Sequence, residues 1–374
     1  RGACFAQLNP GPCLWQHRWE ETDMNFFDQW GRRIAAGDWL MAYPFHPYHE
    51  WLRTCADAYF QRHPDQRAEF ERQATESGEP ADTAGRRLWS QWLGGNRFHQ
   101  EPLYAYLVGA TYRLSGPDPR WVFAWQALLG VCTNVLVYLI ARRLFGEAAA
   151  VIAAVLVCLC GPMLFHEFVL LRAAPLTFAC VWLVWLTLRA IEGRRWTRWL
   201  ALGAAGGLTF ALKSVAAPFL AGAAAIATWQ RRAPGSVRTA ALAALACGAA
   251  IALAPFAARN LAVGVPPLDL TSVNAYTFIA ANAADARPDI GLIISRHTGD
   301  IMDQAGGRLL PTIVETLKTH ESPFQFARLI GAKFAALWHG YEQSNNANFY
   351  YYRLHSSVLR LLPVTFFLLG PLGL

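Results

Sequence analysis

The sequence predicts an all-α fold, a polytopic membrane helix bundle whose extracytoplasmic loops carry short interfacial helices. Three observations predict it. From Trp121 to Arg259 the chain is a nearly unbroken succession of apolar segments, interrupted only by short arginine-rich breaks. Its composition agrees: 54% of 374 residues are hydrophobic, with 15 Trp, 22 Phe and 12 Tyr, and the apolar residues fall in segregated blocks. Many of the arginines behind the net charge of +7 cluster between those blocks, as in cytoplasmic loops of membrane proteins, which argues against a nucleic-acid partner. Helices suit such a chain because they pair their backbone groups internally, where lipid offers no partner.

Residues 1–120 are mixed in charge and read as a first extracytoplasmic loop region with interfacial helices. Within it, Gln66–Arg87 is rich in charge, Gly and Thr and reads as a solvated excursion. Pro102–Leu114 is aromatic and amphipathic, the pattern of a helix lying in the interface. The transmembrane bundle, residues 121–258, opens with spans at Trp121–Ala141, Ala148–Phe165 and Arg172–Leu188. The run from Trp199 to Trp229 is long for one span and short for two, and the polar pair Lys213–Ser214 breaks it ahead of Pro218.

The cationic breaks decide that ambiguity. They are Arg142 with Arg143, then Arg189 with Arg194, Arg195 and Arg198, then Arg231, Arg232 and Arg238. If all three face the cytoplasm, an even number of crossings separates each pair. Residues 199–229 then form a hairpin on short legs with Lys213 near its outer tip, and Thr239–Ala258 crosses outward. The same parity places residues 1–120, the His166–Arg172 link and a second extracytoplasmic region, residues 259–355, on one side. Ser356–Leu374 begins a further span. With no signal peptide at Arg1 and an apolar run that stops abruptly at Leu374, the chain is expected to be cut at both ends.

Five of the eight cysteines, Cys132, Cys158, Cys160, Cys180 and Cys247, lie in apolar segments as small hydrophobes. Cys4 and Cys13 are a candidate disulfide if the N-terminal region is extracytoplasmic, although Cys55 leaves the count there odd. No metal and no cofactor is expected. His46-Pro-Tyr-His49 places Pro47 between its imidazoles without a carboxylate cluster, and a single residue separates Cys158 from Cys160.

Four constellations of ionisable residues stand at the predicted outer ends. Asp23-Met-Asn-Phe-Phe-Asp28-Gln-Trp30 leads through Arg32 and Arg33 to Gly37-Asp38-Trp39, and its apolar positions 26, 27, 30 and 34 recur at helical spacing. Asp23 alone reads first as an N-cap. Asp28 falls within the pattern, where Arg32 is its partner at i,i+4. His99-Gln-Glu101-Pro102-Leu103-Tyr104 reads equally as ordinary helix-start chemistry. His166-Glu167-Phe-Val-Leu-Leu-Arg172 links two spans, and Pro255-Phe-Ala-Ala-Arg259-Asn260 ends one, with a site or interfacial snorkelling as its two readings. Lys213 is more telling, because it interrupts an otherwise apolar run.

In this order the motifs resemble the GT-C superfamily of integral-membrane glycosyltransferases, and are most similar to bacterial proteins of the dolichyl-phosphate-mannose–protein mannosyltransferase type (family 39). The likeness runs over most of residues 20–285. It rests on Asp23 with its aromatics, Gly37-Asp38-Trp39-Leu40, Gln100-Glu101-Pro102-Leu103-Tyr104, Arg142-Arg143-Leu-Phe-Gly146, Glu167 with Arg172, Lys213, and Arg259-Asn260. A span that the family places before the equivalent of Asp23 is missing, as are the family's later spans.

The resemblance implies a hexosyl or pentosyl transfer from a polyprenyl-phosphate sugar to an acceptor hydroxyl. Asp23 is then the general base, because a hydroxyl is a poor nucleophile until its proton has a destination. Arg172, Lys213 and Arg259 are the candidates to meet the charge of the departing phosphate, and Glu101, Glu167 and Asn260 to position substrate and side chains. The expected setting is a bacterial inner membrane with the site facing the periplasm or exterior, and membrane lipid is the one other expected partner. The competing class is a polytopic transporter or lipid flippase with the same charges lining a path. Against it stand the long hydrophilic segments on one side and the absence of paired broken helices. A non-catalytic scaffold would have no need of Lys213 in an apolar run.

Overall fold

The computed structural model describes residues 1–9, 11–80, 83–192, 195–229, 235–288, 293–338 and 346–365. Over these the chain is α-helical without a β-strand, as the hydropathy pattern predicts; one isolated parallel bridge joins Cys160 to Val364. The helices run α1 (Gly2–Leu8), α2 (Pro12–Trp15), α3 (Asp23–Ala35), α4 (Glu50–Arg62), α5 (Pro64–Glu76), α6 (Ala84–Trp92) and α7 (Leu103–Ser115). Then follow α8 (Pro119–Phe145), α9 (Glu147–Cys158), α10 (Gly161–His166), α11 (Ala173–Glu192), α12 (Trp196–Leu212), α13 (Ala217–Trp229) and α14 (Gly235–Ala262). The last are α15 (Val273–Asn282), α16 (Thr298–Ala305), α17 (Leu309–Lys318), α18 (Pro323–Leu337), α19 (Phe349–Leu354) and α20 (Ser357–Leu361).

The helices gather into two compact units, one of residues 1–41, 101–268 and 349–374, the other of residues 42–100 and 269–348. The division by predicted topology cuts across them, since residues 1–120 and 259–355 each contribute to both.

In the first unit, α8, α11 and α14 are each long and apolar enough to cross a membrane. Their exposed side chains are apolar along the shaft, Leu128 and Val135 on α8 and Ile251 on α14 among them, as lipid-facing positions require. Pro119 in the first turn and the Asp118 side chain, which accepts from the Arg120 amide at 2.9 Å, start α8. Gly146, at φ 91°, turns the chain back into α9.

The expected span Ala148–Phe165 is not one helix. It breaks at Leu159–Cys160 and restarts with Pro162 in the first turn of α10, because proline removes the amide that would continue α9. The freed backbone groups pair instead with Val364, Gly161 donating to its carbonyl at 3.1 Å and its amide donating to Leu159 at 3.3 Å.

α12 and α13 form the expected hairpin, with Lys213 extended (φ −159°, ψ 123°) where the legs meet. Their 17 and 13 residues reach only about 26 and 20 Å, short of the roughly 30 Å hydrocarbon core. α11 runs the other way from Ala173 to Glu192, where Arg143 pairs with Glu192 and Arg198 donates to the Arg189 carbonyl at 2.7 Å. The described cationic breaks thus share one end of this unit, and Arg172 and Lys213 lie at the opposite ends of their helices. Arg194, Arg231 and Arg232 fall outside the described residues. Beyond Ser356, whose hydroxyl caps α20, the chain turns extended at Leu362, and 366–374, most of the expected last span, is not among the described residues. Cys4 is a free, buried thiol beside Ser356, and the side chain of Cys13 is not described.

The second unit packs α4, α5 and α6 with α15 and α16 around Leu52, Tyr59, Phe60, Leu88, Trp89, Trp92, Ile279 and Met302. Trp89 meets the Leu52 carbonyl with its indole N–H at 2.7 Å, so this large ring is buried without an orphan donor.

α12 and α14 pack backbone to backbone. A Cβ at Gly203 would strike the Leu245 carbonyl, and one at Gly248 the Leu200 carbonyl, so small residues set this crossing rather than merely tolerate it. Gly203→Val should therefore lower stability by about 1–3 kcal/mol, the usual cost of overpacking, and by more if the helices separate. Thermal unfolding in detergent of Gly203→Val against Leu208→Val, a change at an exposed position, checks it; equal midpoints would show that the contact is dispensable.

Candidate functional site

At the end of the first unit where α7 and α11 begin and α12 finishes, Glu101 is fully buried, with no exposed surface. Its carboxylate collects four polar groups. Arg172 Nη1 lies 2.7 Å from Oε2 and Lys213 Nζ 3.7 Å from the same oxygen. The amide and hydroxyl of Ser214 donate to Oε1 at 2.9 and 2.7 Å. Burial alone would push the Glu101 carboxyl up, but Arg172, then Lys213, then Ser214 reverse this and hold it below its ordinary value. Removing one partner of such a buried pair costs about 3–5 kcal/mol, so the ends of three helices are fixed through one side chain.

α3 meets this cluster through Phe27, whose ring lies under the Arg172 guanidinium at 5.7 Å and edge-on to Tyr104 at 4.8 Å. Asp23 opens the same helix. Its charge acts on Lys213, raising an ammonium that burial and then Arg172 lower, with Glu101 also raising it; the net direction for Lys213 is down. The N-cap of α3 is Thr22 rather than Asp23, because the Thr22 hydroxyl accepts from the Asn25 amide at 3.2 Å and Asp23 is the first helical residue. Asp28 is buried in a network of its own, pairing with Arg32 Nε at 2.7 Å, as its i,i+4 spacing predicts, and accepting from the Tyr112 hydroxyl at 2.6 Å.

The third predicted cation behaves differently. Arg259 is buried and donates to the Leu40 carbonyl at 3.0 Å, to the Met41 carbonyl and to Asn260 Oδ1 at 3.0 Å. Asn260 in turn donates to the Pro266 and Pro267 carbonyls. Arg259 thereby clamps the turn that follows α3, where Gly37 takes φ 111° and Met41 the left-handed φ of 47°. Within that turn Asp38 accepts from the Met41 amide at 3.0 Å and pairs with Arg33 at 2.6 Å. Tyr106 donates to the Trp39 carbonyl at 2.6 Å. The Gly37-Asp38-Trp39-Leu40 motif is thus a clamped turn.

Glu167 lies in the link between α10 and α11, where Arg1 grips it with two hydrogen bonds of 2.8 and 2.9 Å. Burial outweighs that pair and pushes its carboxyl up to about 7. Gly130 makes the room, since a Cβ there would overlap the carboxylate. A cavity of about 160 Å³ opens beside it, lined by Thr133, Cys158, His166 and Thr177 among others. Gln126 braces the link by donating to the Glu167 and Val169 carbonyls at 3.0 Å each, while accepting from the Tyr104 hydroxyl at 2.9 Å.

The structure therefore brings Glu101, Arg172 and Lys213 together, with Asp23 within electrostatic reach of Lys213, and gives Arg259 with Asn260 and Glu167 separate settings. Ser214, Gln126 and Gly130 complete these settings and are not legible as site residues from the sequence. Ser214 alone had a signal, in the polar break it shares with Lys213. Among the described residues no three His, Cys, Asp or Glu side chains are grouped as metal ligands, and the chemistry on offer is that of fixed cations beside carboxylates.

Residues 99–259 match the family model for dolichyl-phosphate-mannose-protein mannosyltransferase. No curated protein and no solved structure matches the chain. The family match and the three apolar helices mark an integral membrane protein and a membrane glycosyltransferase of the GT-C type. Glu101, Glu167, Arg172, Lys213 and Arg259 fall inside the matched segment; Asp23 and Asn260 fall outside it.

The elevated Glu167 carboxyl has a signed consequence. Between the ordinary carboxyl value of 4.5 and about 7 the folded protein holds a proton that the unfolded chain has released, so stability falls as pH rises through that window. Glu167→Gln should flatten this part of the stability–pH profile, measured as thermal midpoints in detergent from pH 4.5 to 7.5. An unchanged slope would mean that Glu167 titrates normally.

Proposed function

We propose that the chain moves a sugar from a polyprenyl-phosphate donor to an acceptor hydroxyl at the extracytoplasmic face of a bacterial inner membrane, with Asp23 as general base. The observation that carries this reading is the cluster of Arg172 and Lys213 on the buried Glu101 carboxylate, inside the mannosyltransferase-like segment and within reach of the Asp23 charge.

In the transfer, Asp23 accepts the hydroxyl proton as the acceptor oxygen forms its bond to the anomeric carbon. The bond from that carbon to the phosphate oxygen breaks, and the lipid phosphate leaves with the electron pair. Charge grows on the leaving phosphate as the bond stretches, and preorganised cations stabilise it at that moment without reorganising. Arg172 and Lys213 supply them, and Glu101 holds both in place rather than acting as a base, since it is already committed to four polar groups. Arg259 and Asn260 serve this reading by fixing the turn after α3, the helix that carries Asp23. Glu167, beside its small cavity, is the positioning residue on the other side of Gln126. The lipid tail stays in the bilayer, which suits a donor too apolar to leave it.

Asp23→Asn should lower transfer by about 10²–10⁴-fold in protein that still inserts, the usual loss of a general base. Asp28→Asn should keep transfer per folded molecule and lose stability, because its partners are Arg32 and Tyr112. Transfer assays with a panel of polyprenyl-phosphate hexoses and pentoses, normalised to folded protein, separate the two. Equal activity of Asp23→Asn and the parent would reject the assignment.

The predicted sidedness is read separately. Cysteines placed at the exposed positions Ser77 and Arg296 should react from outside with a membrane-impermeant maleimide, above the labelling of the parent. Protection of either one would overturn the shared outer location of the two polar regions.

A further inference from the structure

In the second unit α17 is inverted with respect to a water-soluble helix, and α18 after it exposes large apolar side chains. α17 buries Thr312 and Thr316, whose hydroxyls bond back to the carbonyls of Arg308 and Thr312 at 2.8 and 2.6 Å. Its outward side carries Leu310, 75% exposed, with Val314 and Leu317 also exposed at helical spacing. α18 buries no residue at all. Its exposed side presents Phe324, 78% exposed, and Phe334, 64% exposed, with Ile330 and Leu337. Lys333 turns the other way and donates to Asn282 Oδ1 at 2.7 Å, so one of the two cations of α18 is directed inward while Phe324 and Phe334 face out and Phe326 packs against His320.

Scattered exposed leucines are ordinary, but two successive helices that carry large apolar residues outward, with threonines buried beneath the first, require an apolar covering. A transmembrane course does not supply it. The 10 and 15 residues of α17 and α18 reach about 15 and 22 Å, and the connection between them, with His320, Glu321 and Ser322, is polar. Short helices with one apolar face and polar ends instead lie in the interface, apolar side down. The chain itself names the apolar phase at hand, because α8, α11 and α14 anchor it in a bilayer. Threonines bonded to their own helix leave no donor seeking water, which suits that setting.

We propose that the outward faces of α17 and α18 dock on the membrane surface, with Leu310, Val314, Phe324 and Phe334 entering the acyl boundary. The second unit is then held to the bilayer by its own lipid-binding surface as well as by the spans that flank it in sequence. Lys318 and Arg328 sit beside the apolar residues, where headgroup phosphates would meet them.

A photo-reactive phenylalanine analogue at Phe324 or at Phe334 tests this with little disturbance to an already exposed ring. The full chain is reconstituted into phosphatidylethanolamine–phosphatidylglycerol vesicles that include an alkyne-bearing phospholipid, irradiated, and read for covalent lipid. Lipid adducts at both positions, and none with the analogue at the exposed Gln66 of α5, are the expected result. Adducts with a second copy or with another segment of the chain in place of lipid would overturn the proposal, and so would no adduct at either position. Phe324→Glu and Phe334→Glu together give a second reading: a membrane-docked face predicts that protease cleavage within the second unit becomes equal in vesicles and in detergent, while the parent is protected in vesicles only. Unaltered protection in the double variant would likewise reject the proposal.

Discussion

Glu101 is a carboxylate without access to water at the end of a membrane bundle, and an ion in that position must find its counter-charge and hydrogen bonds inside the fold. It finds them on elements far apart in sequence: Arg172 ahead of α11, and Lys213 with Ser214 where α12 gives way to the next leg. α7, α11 and the α12–α13 hairpin therefore meet at one side chain, and Phe27 ties α3 to the same point. From Tyr104, against which Phe27 packs, one line of polar contacts runs on through Gln126 to the link that carries Glu167.

A second constraint concerns the backbone. α12 and α14 approach until Gly203 and Gly248 face opposing carbonyls, which leaves no space for side chains between them. Close packing of this kind replaces the hydrophobic effect, which gives helices no reason to associate within lipid. At the C-terminal end of α14, Arg259 closes on the carbonyls of Leu40 and Met41, so the helix that packs by its glycines also locks the turn behind α3. The arginine is buried with its guanidinium met by those carbonyls and by Asn260 Oδ1.

The two units illustrate how the same rule of polar satisfaction yields opposite surfaces. In the second unit an aromatic core of Tyr59, Trp89 and Trp92 is covered by its own helices, as in any water-soluble domain. α17 and α18 then add an outer layer whose apolar side is not covered by protein among the described residues. A layer of that kind suits a medium without a demand for hydrogen bonds, the setting proposed for it above.

The helical class, the long spans α8, α11 and α14, the hairpin at Lys213, the Asp28–Arg32 pair and the family likeness were all legible in the sequence. Each follows from hydropathy, i,i+4 spacing or motif order, and these survive any tertiary arrangement. Other features were decided only in three dimensions. The break between α9 and α10 depends on Val364 arriving to pair the freed backbone, and the cap of α3 belongs to Thr22 because of where its hydroxyl points. Arg172, Lys213 and Arg259 look alike in sequence as cations at helix ends. Only packing divided them, giving two to a carboxylate from the loop ahead of α7 and one to a pair of carbonyls, because a side chain's partner is set by what the fold places within 3 Å or so of it and not by its neighbours along the chain.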